Sequence, residues 1–259
     1  MTDEHEELLS GAGLQDRRIV RIGDTVHRPA GPWSTTVQDL LRYLGESGFP
    51  LSPEPFGFDG EGREVLSYMP GRDQGWPFLP EICTDLGAER LGRLATRSRL
   101  ALAGYPCRPD ARWQAGPAVP GPQEAVQHGD LGPWNLLWGA DGDICAVIDW
   151  DMAGVGDPLY DTGHLAWFTA PFMDDVRAHE RGFPEPPDRK ARLAAFAAGA
   201  GLAEDDLIRI VLRTQATFAE RVESRAADGT AGTWPALLEM GLPAKARADA
   251  EWTHLHLSV

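Results

Sequence analysis

The chain has 259 residues, 42% of them hydrophobic and 24% charged, enough for one large domain or two lobes sharing a cleft. No apolar run approaches the ~20 residues that span a bilayer, and the acidic start MTDEHEELLSGAG lacks the basic and then apolar order of an export signal, so no membrane span and a cytoplasmic location are expected. A formal net charge of -15 argues against nucleic-acid binding, and three scattered cysteines (Cys83, Cys107, Cys145) fit neither a disulfide framework nor a zinc site.

In chain order, the first seventy residues read as strands and turns around one helix. RIVRIG and DTVHRP (Arg18 to Gly23, Asp24 to Pro29) are β-prone runs about a Gly-Asp turn, a hairpin signal. STTVQDLLRYLGESG predicts an amphipathic helix with Ser34 as N-cap, Val37, Leu40, Leu41 and Leu44 on one face, and an end near Gly48. Phe56 to Phe58 and Glu64 to Met69 predict a second hairpin turning at Asp59-Gly60, and Pro70-Gly71 marks a lobe boundary. Beyond it the pattern turns helical: Ile82–Leu102, a short buried strand from Ile144 to Trp150, then helices around Leu159–Phe168, Arg189–Ala198, Glu204–Ser224 and Trp234–Trp252. A small sheet thus precedes a larger helical body.

The chemistry concentrates in HGDLGPWNLLWGADGDICAVIDWD, His128 to Asp151. Asp141 and Asp143 are explained by a turn. Asp130 and Asn135 fall on a loop and Asp149 at a strand end beside it. Two carboxylates and a carboxamide are the hard oxygen ligands magnesium accepts while keeping waters and substrate phosphates in its other positions. His128, Trp134 and Trp138 read as anchors of the loop, and Asp157 and Asp161 as capping residues.

The order H-G-D-x-x-x-x-N, then I-D-W-D, then Gly154, Asp157, Pro158 and Asp161 resembles the aminoglycoside phosphotransferase family of small-molecule kinases, with a match running from His128 to Asp161. The resemblance implies an α+β, protein-kinase-like two-lobe fold: residues 1–70 a small antiparallel nucleotide-binding lobe, residues 71–259 a helical lobe for catalysis and substrate. It implies Asp130 as catalytic base, Asn135 and Asp149 as Mg2+ ligands, ATP or GTP as phosphoryl donor, and a small hydroxyl-bearing acceptor that is an aminoglycoside-like antibiotic, another natural product or a metabolite such as choline. Asp130 needs no strongly perturbed pKa for this, because the hydroxyl proton leaves late. Asp151 is a supporting acid or a solvated one.

The N-terminal part departs from the family pattern. Lys190 and Lys245 are the only lysines, so the strand lysine that meets nucleotide phosphates is absent. Arg28 stands where that contact is expected; the alternative is a surface arginine. The helix glutamate that pairs with the lysine is also missing, with Asp39 a short-armed substitute. Gly11 and Gly13 in GAGLQD are the candidate phosphate loop, and Ser67, Tyr68 and Met69 the hinge that meets the base. Asp174, Asp175, Glu180, Glu220 and Glu223 are candidates to receive an amine-bearing acceptor or are solvated helix faces, while Trp167, Phe168 and Phe172 read as core. These departures keep open a catalytically silent nucleotide- or ligand-binding module.

Overall fold

The computed structural model describes residues 6–9, 18–114, 116–184, 186–230 and 232–257. Five antiparallel strands come first: β1 (Glu7–Leu8), β2 (Val20–Ile22), β3 (Thr25–Arg28), β4 (Pro55–Phe58) and β5 (Glu64–Ser67), in the spatial order β1-β2-β3-β5-β4. The β2–β3 turn falls at Gly23-Asp24 as expected, with Gly23 at φ +59°. The central pair β3 and β5 sets Arg28 opposite Glu64 and Thr25 opposite Ser67. β5 leaves the sheet at Ser67, two residues short of the expected Met69.

Helix α1 (Ser34–Glu46) connects β3 to β4 and buries Val37, Leu40, Leu41 and Leu44, the face its spacing demands. Its N-cap is Trp33, not Ser34: the Ser34 hydroxyl sits one residue inside and accepts the Gly31 N–H (2.9 Å), closing the turn before the helix instead of capping it.

The rest is mainly helical. α2 (Asp85–Leu102) starts three residues later than its apolar pattern suggests, because Thr84 caps it by accepting the Gly87 N–H. Two short antiparallel pairs follow, β6 (Ala125–Gln127) with β9 (Gly154–Gly156) and β7 (Leu136–Trp138) with β8 (Ile144–Val147). The remaining helices are α3 (Tyr160–Thr169), α4 (Asp175–Glu180), α5 (Arg189–Ala200), α6 (Glu204–Ala227), α7 (Trp234–Glu239) and α8 (Leu242–His256). The single helix expected over Trp234–Trp252 is broken by Gly241 in the left-handed region (φ +68°). Among the described residues no helix is long and apolar enough to cross a membrane.

One hydrophobic core runs from α1 through the short strands to α5, joining Val37 and Leu40 to Trp138, Trp150 and Phe196. Phe49 meets Trp150 edge-on (6.4 Å), and Val147 donates to the Leu51 carbonyl (2.7 Å), so the β-rich part is bonded to the helical body. In the body α2 lies close against α5 because Gly92 and Gly199 carry no side chain: a Cβ on Gly92 would meet the backbone of Phe196 and Ala200, and one on Gly199 the backbone of Glu89. Alanine at 92 gains about 1 kcal/mol of helix propensity, but a carbonyl cannot rotate out of its way. Gly92→Ala is therefore expected to destabilise the fold by a net of about 1–3 kcal/mol, read as a fall in Tm; an unchanged or raised Tm would show that the helices can part at no cost.

Candidate active site

The loop between β6 and β7 is held by buried polar contacts. Gly129 takes φ +82° and passes so close to the Met152 carbonyl that a Cβ would collide with it. Asp161, from the first turn of α3, accepts the backbone N–H of His128 (2.6 Å) and of Gly129 (2.9 Å). The His128 ring is fully buried beneath Trp150 (4.5 Å between ring centres). Its Nδ1 accepts the Asp130 N–H (3.3 Å), which leaves Nε2 to donate to the Ile148 carbonyl (3.0 Å). Burial lowers its pKa and keeps it neutral, as a structural tie between the loop and the strand end that carries Asp149.

Asp130 keeps 28% of its side chain exposed, the open edge of an otherwise enclosed carboxylate. Its Oδ2 accepts from Trp134 Nε1 (3.1 Å) and Asn135 Nδ2 (3.0 Å), and Asn135 Nδ2 also reaches the Asp130 carbonyl (2.8 Å). The chemistry needs no perturbed pKa, but the structure perturbs it: loss of hydration raises Asp130 to about 7, the Trp134 and Asn135 hydrogen bonds pull it down, and the charges of Asp149 and Asp161 push it up.

The strand expected to run to Trp150 stops at Val147. Asp149 then adopts φ 58°, the left-handed region that aspartate tolerates better than most residues, and is the only non-glycine there among the described residues. This turn lifts its carboxylate out of the core, with 53% of the side chain exposed. Asn135 commits its amide nitrogen to Asp130, so its carbonyl oxygen and the Asp149 carboxylate are the hard donors on offer. No group of three or more His, Cys, Asp or Glu able to hold a metal occurs among the described residues. The donor set therefore fits a magnesium that takes its other ligands from water and phosphates, not a caged structural ion.

Arg28 is buried, which removes the surface-residue alternative. Its Nε donates to Glu64 Oε2 (2.6 Å), Nη2 to Asp151 Oδ1 (2.8 Å) and Nη1 to Asp149 Oδ1 (3.3 Å). Burial alone would lower its pKa, but Asp151, Glu64 and Asp149 together hold it above the usual value. The missing helix glutamate thus has its counterpart on a strand: Glu64, fully buried, is the register partner of Arg28. Gln38 of α1 braces it, donating to Glu64 Oε1 (3.0 Å) and accepting the Gly57 N–H (3.0 Å). Asp39 is not the substitute; it pairs with Arg42 on the outer face of α1 (2.7 Å). Sequence reasoning missed Glu64 because β3 and β5 are separated in the chain by α1 and β4, and only their pairing sets it opposite Arg28. Asp151 is buried as the third carboxylate on the guanidinium.

Ser67 and Tyr68 spend their N–H groups on the carbonyls of Glu54 and Asp24 (2.8 Å each), and the Ser67 hydroxyl contacts Met69 Sδ (3.6 Å). Gly11 and Gly13 lie outside the described residues. Of the acids considered for an amine, Asp174 caps α4, Asp175 pairs with Arg189 and Glu223 with Arg247, while Glu180 and Glu220 are exposed. Trp167 and Phe172 are core, and Phe168 is partly buried against it.

Residues 89–196 match the model of the phosphotransferase enzyme family. The chain is 31% identical over 202 residues to the trifolitoxin immunity protein of Rhizobium leguminosarum bv. trifolii, spanning 76% of this chain and 74% of that protein. A shorter stretch of 47 residues is 49% identical to the viomycin phosphotransferase of Streptomyces vinaceus, 17% of this chain and 16% of that one. The structure superposes on amicoumacin kinase hAmiN, solved in complex with AMP-PNP, Ca2+ and Ami, with a TM-score of 0.59 over 99% of this chain and 90% of that chain. At 13% identity this is a likeness of fold, and it is the two-lobed, protein-kinase-like α+β fold the motif implied.

Proposed function

The chain belongs to the phosphotransferase enzyme family, and from that premise we propose that it is a small-molecule kinase transferring the γ-phosphoryl group of magnesium-bound ATP or GTP to a hydroxyl of a toxin-like natural product. One observation carries the reading: a partly exposed carboxylate, Asp130, is hydrogen-bonded to Asn135 beside the outward-turned Asp149, to which the buried Arg28 is bonded. Residues 1–70 then form the nucleotide lobe and residues 71–259 the lobe that holds the acceptor.

In this reading Asp130 orients the acceptor hydroxyl, whose oxygen forms a bond to the γ-phosphorus as the bond to the bridging oxygen breaks. The nucleoside diphosphate leaves and Asp130 takes the hydroxyl proton. Asn135 and Asp149 would hold magnesium, which would supply positive charge against the phosphates. Arg28 sets the direction of Asp149, and its loosest contact, Nη1 at 3.3 Å, is the one a phosphate oxygen can share. The retained base and metal ligands favour this over a silent binding module, which needs no base. The acceptor is proposed to belong to the kind of compound named in the relatives, trifolitoxin, viomycin and amicoumacin.

The test is magnesium-dependent transfer from ATP and GTP to a panel of antibiotics, amino alcohols and sugars, with nucleotide binding followed in parallel by thermal shift. Nucleotide binding with no transfer to any acceptor or to water would favour the silent module. Because Asp130 must be ionised to accept a proton and its pKa lies at about 7, kcat/KM is expected to be low at pH 6, to rise through pH 7 and to level off above pH 8. A profile flat from pH 5.5 to 8.5 would contradict the role of Asp130.

A further inference from the structure

The mechanism above leaves the Trp134 indole without a task, although its surroundings are specific. It follows Pro133 in the single 3-10 turn that ends at Asn135. The ring folds back over Gly132, where a Cβ would lie 2.5 Å from its Cε2 atom, inside van der Waals contact. Its remaining sides meet the ring of His164 (5.6 Å, interplanar angle 88°) and that of Phe168 (4.7 Å, 76°) edge to face. Held in this way, Nε1 points at Asp130 Oδ2 from 3.1 Å. The second donor to Oδ2, the Asn135 amide, divides itself between that oxygen (3.0 Å) and the Asp130 carbonyl (2.8 Å). His164 Nε2 stands 3.9 Å from the other oxygen, Oδ1, beyond hydrogen-bond reach.

We propose that Trp134 is a positioning residue for Asp130: its N–H holds Oδ2 and leaves Oδ1 as the oxygen presented to the acceptor, with Gly132 as the residue that makes room for the ring. The proposal rests on the kinase reading. An aspartate carboxylate turns readily about its terminal torsion, and the shared amide of Asn135 restrains it weakly. The indole is a donor with one hydrogen and one target. Deleting the N–H frees the carboxylate to rotate and leaves the contacts of Arg28 with Asp149 and Asp151 in place.

Trp134→Phe removes the N–H and keeps an aromatic ring between His164 and Phe168. Gly132→Ala keeps the N–H and displaces the ring. Both variants, and the two combined, are compared with the parent for phosphoryl transfer from ATP to the acceptor found in the panel, or to water. A hydrogen bond to a charged group corresponds to roughly ten- to a hundredfold in rate. Each single change is therefore expected to lower kcat by that factor with KM for ATP within about twofold. The combined variant is expected to be no slower than Trp134→Phe, because phenylalanine lacks the ring atoms that crowd position 132. The Trp134 indole N–H resonance, identified by its loss in Trp134→Phe, is expected to move in Asp130→Ala. Parent-like kcat in Trp134→Phe, a loss confined to KM, or an indole resonance unmoved in Asp130→Ala would each overturn the proposal alone. A parent protein that transfers phosphoryl to nothing would overturn the kinase reading and the role built on it.

Discussion

Asp130→Asn is expected to lower kcat by about 10²–10⁴-fold while nucleotide affinity stays close to that of the parent. The asparagine oxygen can still accept the Trp134 N–H, so the loop keeps its shape, and the contacts among Arg28, Asp149 and Asp151 are untouched. Only the capacity to take a proton is lost. The same substitution has a second signature in stability. The folded protein raises the Asp130 pKa to about 7, above the ordinary carboxylate value of about 3.9, so the native state binds more protons than the unfolded chain between these values. The ionised carboxylate therefore destabilises the fold progressively as pH rises from 4 to 7, and fully above that. Asparagine removes this penalty: without magnesium, the variant is expected to gain roughly 2–4 kcal/mol over the parent at pH 8 and nothing at pH 4. Denaturant unfolding at the two pH values, beside initial rates, checks both halves. Near-parent turnover would return Asp130 to a structural role.

Arg28→Met is expected to be the most destabilising single change in the β-rich lobe. It strands Glu64, which has no exposed surface, and Asp151, which is 6% exposed, as buried carboxylates without their cation. Breaking a buried ion pair from one side costs about 3–5 kcal/mol. Arg28→Lys is expected to recover only part of this, because an ammonium cannot place three donors on three separate carboxylates as a guanidinium does. Combining Arg28→Met with Glu64→Gln and Asp151→Asn, which neutralises the stranded groups, is expected to recover most of it. Urea unfolding of the four proteins measures the series. An Arg28→Met protein as stable as the parent would mean that the cluster contributes nothing to the fold, and that Arg28 serves the nucleotide alone.

What the sequence made legible follows the distance over which each feature is encoded. Asp130, Asn135 and Asp149 lie within twenty residues of one another, and their order and spacing mark them before any tertiary contact is known. The α1 face could be read for the same reason: its period is local. Glu64 could not be read from a motif, because its meaning comes from standing opposite Arg28 across two strands, thirty-six positions away in the chain. The raised Asp130 pKa is hidden from sequence on similar grounds, since loss of hydration depends on packing. The break at Gly241 was missed because one glycine in an apolar helical pattern is tolerated often enough to be passed over. The acids on the outer helices admit two readings from sequence, a cationic acceptor or a solvated face, and the structure pairs two of them, Asp175 and Glu223, with neighbouring arginines.

The placement of Glu64 on a strand has a consequence for control. In protein kinases the carboxylate facing the active-site cation rides on a helix, and moving that helix parts the pair and idles the enzyme. Here cation and carboxylate are neighbours across β3 and β5, and α1 reaches them through Gln38. Swinging α1 outward would open the core it packs into and break the Gln38 contact, yet leave the charges together; parting them requires unzipping the sheet. The pairing of cation and carboxylate is therefore set by sheet register and not by the position of a helix.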